Sequence, residues 1–444
     1  EGLRARGFAA TGVFAASLKA PGFGDWLANA LGERGPALVV NATAFSAKGA
    51  DGATPFDRFD CPVFQVALST ARKRDWAAAE RGLSPADLAM HVVLPEVDGR
   101  LFAGVISFKA PEPRDADLGF ARFVHRPDPG RVSAALDRIT GWHRLAVTPA
   151  SERGVAIVLS TYPGRPWQMA HAVGLDALAS AAELLDQLAK QGYAVAPGAE
   201  PAALATERLS WPVTDYEAAL STLPPKLRDD LQAAWGRAED DPAVSGGAFQ
   251  FAALRRGAVL LALQPERGDT TTRDGDYHDL ARVPRHAYVA FYLWLRAQGL
   301  HALVHMGAHG TLEWLPGKAV ALSETCWPEA LVGALPVIYP FIVNDPGEAA
   351  QAKRRIGALT LGHLPPLLRA SSVPAAMGVL ERLLDEYSTA DGLDPARRNR
   401  LIAAIRDEAR ARGVEEDLGI PPEASAAEAI TRIDRFVCDI KESQ

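Results

Sequence analysis

Short apolar runs that end in polar or glycine-rich loops recur along this chain, and they alternate with stretches of helical periodicity. Apolar runs of this length, bounded by turn residues, are typical of buried strands. Four of them end near Asn41, Thr161, Gln264 and His305. Strands that alternate with amphipathic helices predict an α/β fold. We therefore expect two or more doubly wound, mainly parallel-sheet domains with a helical C-terminal layer.

The first part of the chain, residues 1–149, combines the two patterns and predicts an N-terminal α/β domain. Ser84 followed by Pro85 predicts a helix start, because Ser is a favoured N-cap and Pro suits the first helical position. Strands are predicted at 37–40, 61–68, 91–94 and 101–108.

Residues 150–373 predict a central α/β domain. The helical stretch 284–298 carries aromatic residues at core spacing and predicts the crossover between two strands, which end at Gln264 and His305. Because strands joined by one crossover are commonly neighbours, we expect these two ends side by side on one sheet edge. The sequence pattern near residues 196–247 predicts an inserted helical subdomain.

Residues 374–444 read as amphipathic helices and predict a covering helical segment. The chain opens on Glu1-Gly2-Leu3-Arg4 without a start methionine and stops inside a helical pattern. We therefore expect a piece of a longer protein.

The composition of the chain is compatible with this fold class. The chain has 444 residues, of which 48% are hydrophobic and 23% charged, as in ordinary globular proteins. The net charge of −7 gives no electrostatic reason to expect nucleic acid as a partner. No apolar run reaches the length of a membrane span. Three cysteines, far apart in apolar settings, favour reduced thiols in a cytoplasmic protein.

The stretch 301–318, HALVHMGAHGTLEWLPGK, contains several residues that could bind a ligand or transfer protons. His305, His309 and Glu313 are spaced four apart. A helix would place them on one face, but Gly307 and Gly310 argue against a helix. The better prediction is a buried strand that ends at His305 and opens into a glycine-rich turn. Ligands bind at the carboxyl ends of strands in open α/β sheets.

Two roles remain open for this group of side chains. The histidines and the glutamate could form a structural hydrogen-bond network, or they could serve metal binding or proton transfer. The chain has neither an H-E-x-x-H motif nor a paired cysteine ligand set, so no standard zinc pattern supports a metal site.

A second landmark is Asp345-Pro346-Gly347-Glu348, which predicts a helix start with Asp345 as the N-cap. Glu348 is either a capping-box residue or a carboxylate at a ligand cleft. The basic cluster 353–355, one to two turns further on, is either a solvated face or part of the same cleft.

With these residues in view, the chain resembles the large-subunit family of the aerobic-pathway cobaltochelatase. The block HMGAHGTLEWLPGKAVALSETCWPEALVGALPVIYPFIVNDPGEAAQAKRR carries most of the likeness. The resemblance continues through QPERGD, YHD, LSPADLAMHVVLPEVDGR, GLDALASA and the final CDIKES. More distantly, the chain is similar to the large, porphyrin-binding subunit of magnesium chelatase.

This resemblance implies ATP-dependent insertion of cobalt(II) into hydrogenobyrinic acid a,c-diamide, a corrinoid tetrapyrrole of cobalamin biosynthesis. It also implies two partners, an AAA+ ATPase subunit and a second small chelatase subunit. The chain lacks G-x-x-x-x-G-K-[ST], since Gly317-Lys318 has no glycine five positions upstream of Gly317. ATP and its Mg are therefore expected on a partner.

Metal insertion removes inner N–H protons from a tetrapyrrole, so a base must lie within reach of the ring. On this basis the resemblance suggests Glu313, Glu348 and His309 as catalytic residues, and His305, His309 and Glu313 along the path of the metal. Lys and Arg suit the peripheral carboxylates of a macrocycle, and an aromatic residue suits its face. The expected substrate-binding residues are Gln264, Arg267, His278, Trp314, Lys318, Asn344, Lys353, Arg354 and Arg355.

Two alternative functions stay open. One is a magnesium chelatase large subunit that inserts Mg(II) into protoporphyrin IX. The other is a tetrapyrrole-binding scaffold without catalytic groups of its own.

Overall fold

A computed structural model describes most of the chain. The described residues are 1–32, 35–160, 171–172, 175–268, 280–307, 310–342, 346–363, 377–390, 395–418, 420–421, 425–426, 429–430, 432–434 and 436–437. The chain divides into two compact units, residues 1–364 and residues 365–444.

The strands of the described residues, labelled in chain order, all belong to the first unit. They are β1 Val39–Asn41, β2 Val63–Ser69, β3 Leu101–Pro111, β4 Phe123–Pro127, β5 Val155–Leu159, β6 His171–Ala172, β7 Leu175–Asp176, β8 Leu209–Pro212, β9 Val244–Ser245, β10 Ala248–Phe251, β11 Ala253–Arg256, β12 Val259–Leu263, β13 Ala302–Met306, β14 Val337–Ile342 and β15 Leu359–His363.

The α-helices of the described residues are labelled in the same way. They are α1 Gly2–Ala5, α2 Phe23–Leu31, α3 Lys73–Ala78, α4 Pro85–Leu88, α5 Leu94–Glu96, α6 Pro129–Val147, α7 Ala177–Lys190, α8 Val213–Ser221, α9 Pro225–Trp235, α10 His286–Ala297, α11 Trp327–Val332, α12 Pro346–Arg355, α13 Gly378–Ala390, α14 Pro395–Ala411 and α15 Val414–Asp417.

Side-chain caps explain where three of these helices begin. Ser84, Asp128 and Asp176 each accept a hydrogen bond from a backbone N–H in the first turn of the helix that follows. Such a cap stabilises a helix by about 1 kcal/mol. The helix start predicted at Ser84 is confirmed.

The central sheet of the first unit has six strands in the order β11-β12-β5-β13-β14-β15. All neighbours from β12 to β15 are parallel, and β11 is an antiparallel edge strand. The α/β class with a mainly parallel sheet is confirmed. The chain leaves β5 first to one side and later to the other, so β5 marks the point where the strand order reverses. Ligand crevices in open α/β sheets lie at such a point.

Apolar helices cover both faces of this sheet. On one face α10 contributes nine consecutive buried residues, 287–295, including its aromatic side chains, to a large core. On the other face α7 packs Ala177, Ala181 and Leu185 against β5 and β12. The prediction that the aromatic residues of 284–298 belong to the core is confirmed. Strands buried on both faces read as continuous apolar runs, which is why the sequence revealed them.

Two expectations about this sheet need correction. The strands that lead to Gln264 and His305 are not neighbours, because β5 lies between β12 and β13. The segment near 196–247 contains α8 and α9 but also strands β8 and β9, which pair with β10 in a small antiparallel sheet. Its aromatic residues share the large core under α10.

A second sheet, in the order β1-β2-β3-β4, lies in the N-terminal part of the same unit. The strand predicted at 91–94 is wrong, because this run lies in a helical stretch with a π-helical turn at Ala89–Val93. Pro95 follows that turn and has no N–H for the carbonyl four residues back, which disfavours a regular α-helix there. A short apolar run does not by itself distinguish a strand from a buried helical turn.

The second unit is helical where it is described. Helices α13 and α14 and the residues that follow them bury a small apolar cluster around Leu380, Ile405 and Ile433. Glu415 binds Arg406 and Arg410 in this unit. No helix within the described ranges is both long and apolar enough to span a membrane.

Candidate functional site

The candidate site lies at the carboxyl ends of the central strands. Ser160 follows β5, Gln264 follows β12, and His305 lies near the end of β13. Backbone hydrogen bonds tie these ends together, from Ser160 N to Met306 O at 3.0 Å and from Gln264 N to Leu159 O at 2.9 Å. Polar side chains from three strands therefore meet where the strand order reverses.

Two glycines, Gly307 and Gly310, allow the backbone to pack closely against Ser160 and His305. A Cβ atom on Gly310 would lie 2.6 Å from His305 Cε1, and one on Gly307 would lie 2.8 Å from Ser160 Cβ. Gly307 also has a φ of +157°, which other residues rarely adopt. The sequence prediction of a strand that ends at His305 beside glycines is confirmed.

His305 is fully buried, and both of its ring nitrogens have partners. Nδ1 lies 3.2 Å from Ser160 Oγ, while Nε2 lies 3.2 Å from Gln264 Nε2 and 3.3 Å from the Tyr292 hydroxyl. The ring stacks on Tyr339 with a centroid distance of 5.1 Å. Burial lowers the pKa of His305 to about 3, because the apolar interior disfavours the imidazolium. The imidazole is therefore neutral at physiological pH.

Gln264 is the centre of a buried polar network. Its Nε2 donates to the hydroxyls of Tyr288 at 2.9 Å and Tyr292 at 2.5 Å. The Tyr288 hydroxyl lies 2.8 Å from Thr311 Oγ1, which in turn donates to Gln264 Oε1 at 3.2 Å. These bonds link α10 and β12 to the turn that carries Glu313, so the network fixes the position of that turn.

Glu313 lies in a 3₁₀ turn, Leu312–Trp314, and is fully buried. Its Oε1 accepts hydrogen bonds from Gly310 N at 3.2 Å and from the Tyr339 hydroxyl at 3.4 Å. Among the described residues, its Oε2 has no hydrogen-bond partner. Burial is the main cause that raises the pKa of Glu313 to about 7, and the negative charge of Glu348 acts in the same direction.

Glu348 approaches the same place from a different element. It lies in the first turn of α12, where the positive end of the helix dipole favours a carboxylate. Its Oε2 accepts a hydrogen bond of 3.1 Å from Trp314 Nε1. Glu348 is half-buried, whereas Glu313 is inaccessible to solvent. One carboxylate at the surface and one in the interior therefore influence each other.

Two buried arginines hold the backbone of the Glu313 turn. Arg267 donates to Trp314 O at 3.3 Å and to Arg282 O at 3.2 Å. Arg355 donates to the carbonyls of Glu313, of Leu315 at 2.8 Å, and of Lys318 at 3.0 Å. Both guanidinium groups are engaged with protein carbonyls, so substrate binding by them stays a prediction.

Two of the remaining basic residues of the expected site, Lys318 and Arg354, bind groups of the protein itself. Lys318 donates to Ala77 O at 2.8 Å and to Ala79 O at 2.7 Å, in the N-terminal part of the unit. Arg354 forms a two-point ion pair with Glu96, with distances of 2.8 and 3.1 Å. Lys353 lies half-buried on α12. Their role in binding substrate carboxylates also stays a prediction.

Three expected site residues, His278, His309 and Asn344, lie outside the described residues. The described ranges contain no group of three or more His, Cys, Asp or Glu side chains that could hold a metal ion. His305 and Glu313 are described but do not form such a group without a further ligand.

Sequence reasoning missed five polar side chains of this site: Ser160, Tyr288, Tyr292, Thr311 and Tyr339. The two tyrosines of α10 are four residues apart and were assigned to the core, which is correct for their rings but not for their hydroxyls. The sequence does contain a signal for these hydroxyls, because a buried tyrosine hydroxyl usually needs a hydrogen-bond partner.

This arrangement can accept a proton in the interior of the protein. The Glu313 carboxyl changes its charge near neutral pH, and in the described part of the chain one of its oxygens has no hydrogen-bond donor. Glu348 lies nearer to solvent and can exchange protons with it. A buried carboxyl whose pKa is shifted towards neutrality is typical of acid–base sites.

Comparison with known proteins shows the family of the chain. The whole chain, residues 1–444, matches the family CobN/Magnesium Chelatase. It is 42% identical to the aerobic cobaltochelatase subunit CobN of a Sinorhizobium species, over 100% of this chain and 36% of that protein. It is 29% identical to a magnesium-chelatase subunit of Rhodobacter capsulatus, over 77% of this chain and 30% of that protein.

A solved structure is similar as well. The catalytic subunit of cobaltochelatase from Mycobacterium tuberculosis superposes with a TM-score of 0.68 at 34% identity, over 96% of this chain and 38% of that chain. The chain thus spans about a third of the length of these relatives. Because the family matches all 444 residues of the chain, the chain belongs to the CobN/magnesium chelatase family.

Proposed function

We propose that this chain is part of the large, tetrapyrrole-binding subunit of an ATP-dependent cobaltochelatase. The reaction is the insertion of Co(II) into hydrogenobyrinic acid a,c-diamide during cobalamin biosynthesis. The relatives named as cobaltochelatase subunits, at 42% and 40% identity, favour cobalt over the more distant magnesium branch at 29%.

One observation carries the chemical part of the proposal. Glu313 is buried beside the carboxyl ends of the sheet, and the charge of Glu348, 35 positions away in sequence, acts on it. A site that removes N–H protons from a macrocycle needs a base whose pKa lies near the working pH, so that it can both accept a proton and pass it onwards. A raised pKa near 7 in Glu313 meets this requirement.

In the mechanism we propose, the Glu313 carboxylate accepts a proton from a ring nitrogen as cobalt enters the ring, through Oε2, which has no hydrogen-bond donor among the described residues. Glu348 then takes up that proton from Glu313 and releases it to solvent, since it is the more exposed carboxylate of the pair. The neutral His305 and the network around Gln264 hold the Glu313 turn in place. Ligation of cobalt by His305 requires one of the hydrogen bonds of its ring to open.

His309, His278 and Asn344 complete the proposed path for metal and substrate. Trp314 is proposed to stack on the macrocycle, because an indole offers a large flat face. We further propose that the AAA+ ATPase subunit and the second small subunit bind ATP and Mg. The free thiols of Cys61 and Cys326 favour the cytoplasm as the location of this complex.

The test replaces each acid by its amide in the full-length subunit, assayed with its partners, ATP, Co(II) and the corrinoid. We expect Glu313→Gln and Glu348→Gln each to lower the insertion rate at least a hundredfold, because proton acceptance is lost while size and fold are kept. Glu183→Gln, an exposed acid on α7, is the matched control and should keep full activity.

Normal insertion rates in both site variants would overturn the proposed roles. Binding spectra with the corrinoid and with protoporphyrin IX test the substrate separately. A wild-type protein that binds only protoporphyrin and inserts Mg(II) would assign it to the magnesium branch instead.

A further inference from the structure

Arg355 makes a set of contacts that no expected role explains. The side chain is 2% exposed, and its guanidinium group donates to the carbonyl of Glu313 itself. It also donates to Leu315 O at 2.8 Å and to Lys318 O at 3.0 Å. One side chain thus binds three carbonyls along the six residues that begin with Glu313.

The position of Arg355 in the chain gives these contacts a consequence. Arg355 is the last residue of α12, and Glu348 lies in the first turn of that same helix. Seven residues of α-helix separate the two by about 10 Å along a stiff axis. The guanidinium group therefore connects the helix that carries Glu348 to the turn that carries Glu313.

A second contact also connects the Glu313 turn to α12. Trp314, the neighbour of Glu313, donates its indole N–H to Glu348 Oε2 at 3.1 Å. The turn and the helix are thus joined at both ends of α12, by Trp314 at the start and by Arg355 at the end. Arg267 holds the same turn through a further hydrogen bond, to Trp314 O.

We propose that Arg355 is a positioning residue that sets the location of the Glu313 carboxyl relative to Glu348. This inference rests on the proposed function of the two carboxyls as the proton-accepting pair. Arg355 acts through the backbone of the turn and does not touch the macrocycle. Reacting groups must be held within a fraction of an ångström, and a shift of about 1 Å can lower a rate by about a hundredfold.

Binding three carbonyls of one turn requires an arginine. Its planar group carries five N–H donors that spread in fixed directions, which suits three carbonyls of one turn. Lysine is a point-like cation on a flexible stem and cannot reproduce this geometry. Burial lowers the pKa of Arg355 to about 10, so the group still carries its proton at neutral pH.

The experiment uses the full-length subunit with its partners and compares Arg355→Gln, Arg355→Lys and a matched control. Arg153→Gln is the control, since Arg153 also makes three hydrogen bonds, two of them to carbonyls, at the amino end of β5. We expect Arg355→Gln to lower kcat 10- to 100-fold with KM for the corrinoid unchanged within twofold. Arg355→Lys should recover part of the loss, and Arg153→Gln should keep kcat within twofold.

Hydrogen exchange provides a readout that is independent of activity. In Arg355→Gln we expect the backbone amides of 310–318 to exchange at least tenfold faster, with no such change in Arg153→Gln. If wild-type protein shows no chelatase activity, the proposed function fails, while exchange still tests whether Arg355 holds the turn. If Arg355→Gln does not fold, Arg355→Lys carries the test, with kcat lowered several-fold at constant KM.

Three results would overturn the inference. One is wild-type kcat in folded Arg355→Gln or Arg355→Lys, which would leave Arg355 with a purely structural role. Another is a rise in KM at constant kcat, which would make Arg355 a substrate-binding residue. The third is an unchanged exchange rate of the turn in Arg355→Gln.

Discussion

The side chain of Glu313 combines two properties that rarely occur together. Its Oε1 has two protein donors, whereas its Oε2 is buried with no partner among the described residues. The same burial that raises the pKa of Glu313 to about 7 lowers the pKa of His305 to about 3. The interior of the site therefore holds a neutral imidazole and a carboxyl that titrates near neutral pH, and not an ion pair.

The raised pKa of Glu313 has a measurable effect on stability. Between pH 4.5 and about 7 the unfolded chain gives up the Glu313 proton while the folded chain keeps it, so rising pH destabilises the folded state. The full effect is present above pH 7 and amounts to about 3 kcal/mol. Because Glu313→Gln removes the titration, its free energy of unfolding relative to wild type should rise by about this amount between pH 4.5 and 8, measured by urea denaturation.

The control for this pH series is again Glu183→Gln, whose difference from wild type should stay flat across the same range. A constant difference between Glu313→Gln and wild type at all pH values would mean that Glu313 has an ordinary pKa in the folded protein. The proton-accepting role would then lose its electrostatic basis.

At the scale of elements, the ends of β5, β12 and β13 decide where the chemistry lies. Sequence patterns predicted these strands because each is buried on both faces and reads as an unbroken apolar run. The same patterns predicted the glycine-flanked strand end at His305, since both glycines are required by close contacts. Local sequence thus predicted the elements and the residue types at their ends.

Sequence could not predict which ends meet. Gln264 and His305 do approach each other, but across the end of β5 and together with Ser160, because strand order depends on packing between distant segments. The partners of Lys318 and Arg354 lie more than 200 positions away. An isolated basic residue gives no local signal that distinguishes an internal contact from a substrate contact.

The buried network at these strand ends can be tested at Thr311. Its hydroxyl bonds to the Tyr288 hydroxyl and to Gln264 Oε1, so valine at this position removes both bonds without changing the size of the side chain. We expect Thr311→Val to lower the free energy of unfolding by about 1–3 kcal/mol, since buried polar groups lose a partner.

The matched substitution for this test is Thr222→Val. Thr222 is exposed and its hydroxyl donates to the nearby Ala219 O at 2.7 Å, so loss of this hydroxyl should change the free energy of unfolding by about 0.5 kcal/mol or less. Equal effects of the two valine variants in urea denaturation would show that the network adds no stability to the Glu313 turn.

At the scale of the first unit, the candidate site lies on a segment between two strands of the central sheet, and this segment also packs against the region of the N-terminal sheet. Residues 318–321 pack against the N-terminal part of the unit, where Trp76 Nε1 donates to Ala321 O at 3.0 Å. The ion pair between Arg354 and Glu96 attaches α12 to the same part. The turn with Glu313 and the helix with Glu348 are therefore both anchored to the N-terminal sheet region.

Lys318 is the most direct test of this anchoring, because the sequence and the structure suggest different roles for it. The resemblance suggested a substrate-binding residue, whereas its ammonium group binds Ala77 O and Ala79 O and lies 5.2 Å from the centre of the Trp76 ring. Lys318→Met keeps the apolar stem but removes the donors, so we expect a loss of about 2 kcal/mol in the free energy of unfolding. Lys226→Met, at an exposed ion pair, should change it by about 0.5 kcal/mol or less.

Both variants are compared by urea denaturation and by titration with the corrinoid. A lower urea midpoint for Lys318→Met with unchanged corrinoid affinity would establish Lys318 as an anchor between the two sheet regions. Unchanged stability with weakened corrinoid binding would reverse the assignment, because the ammonium group would then have to leave Ala77 and Ala79 to reach the substrate. That second result would also imply that the segment 318–321 moves during the reaction, and the contacts of Trp76 would have to open with it.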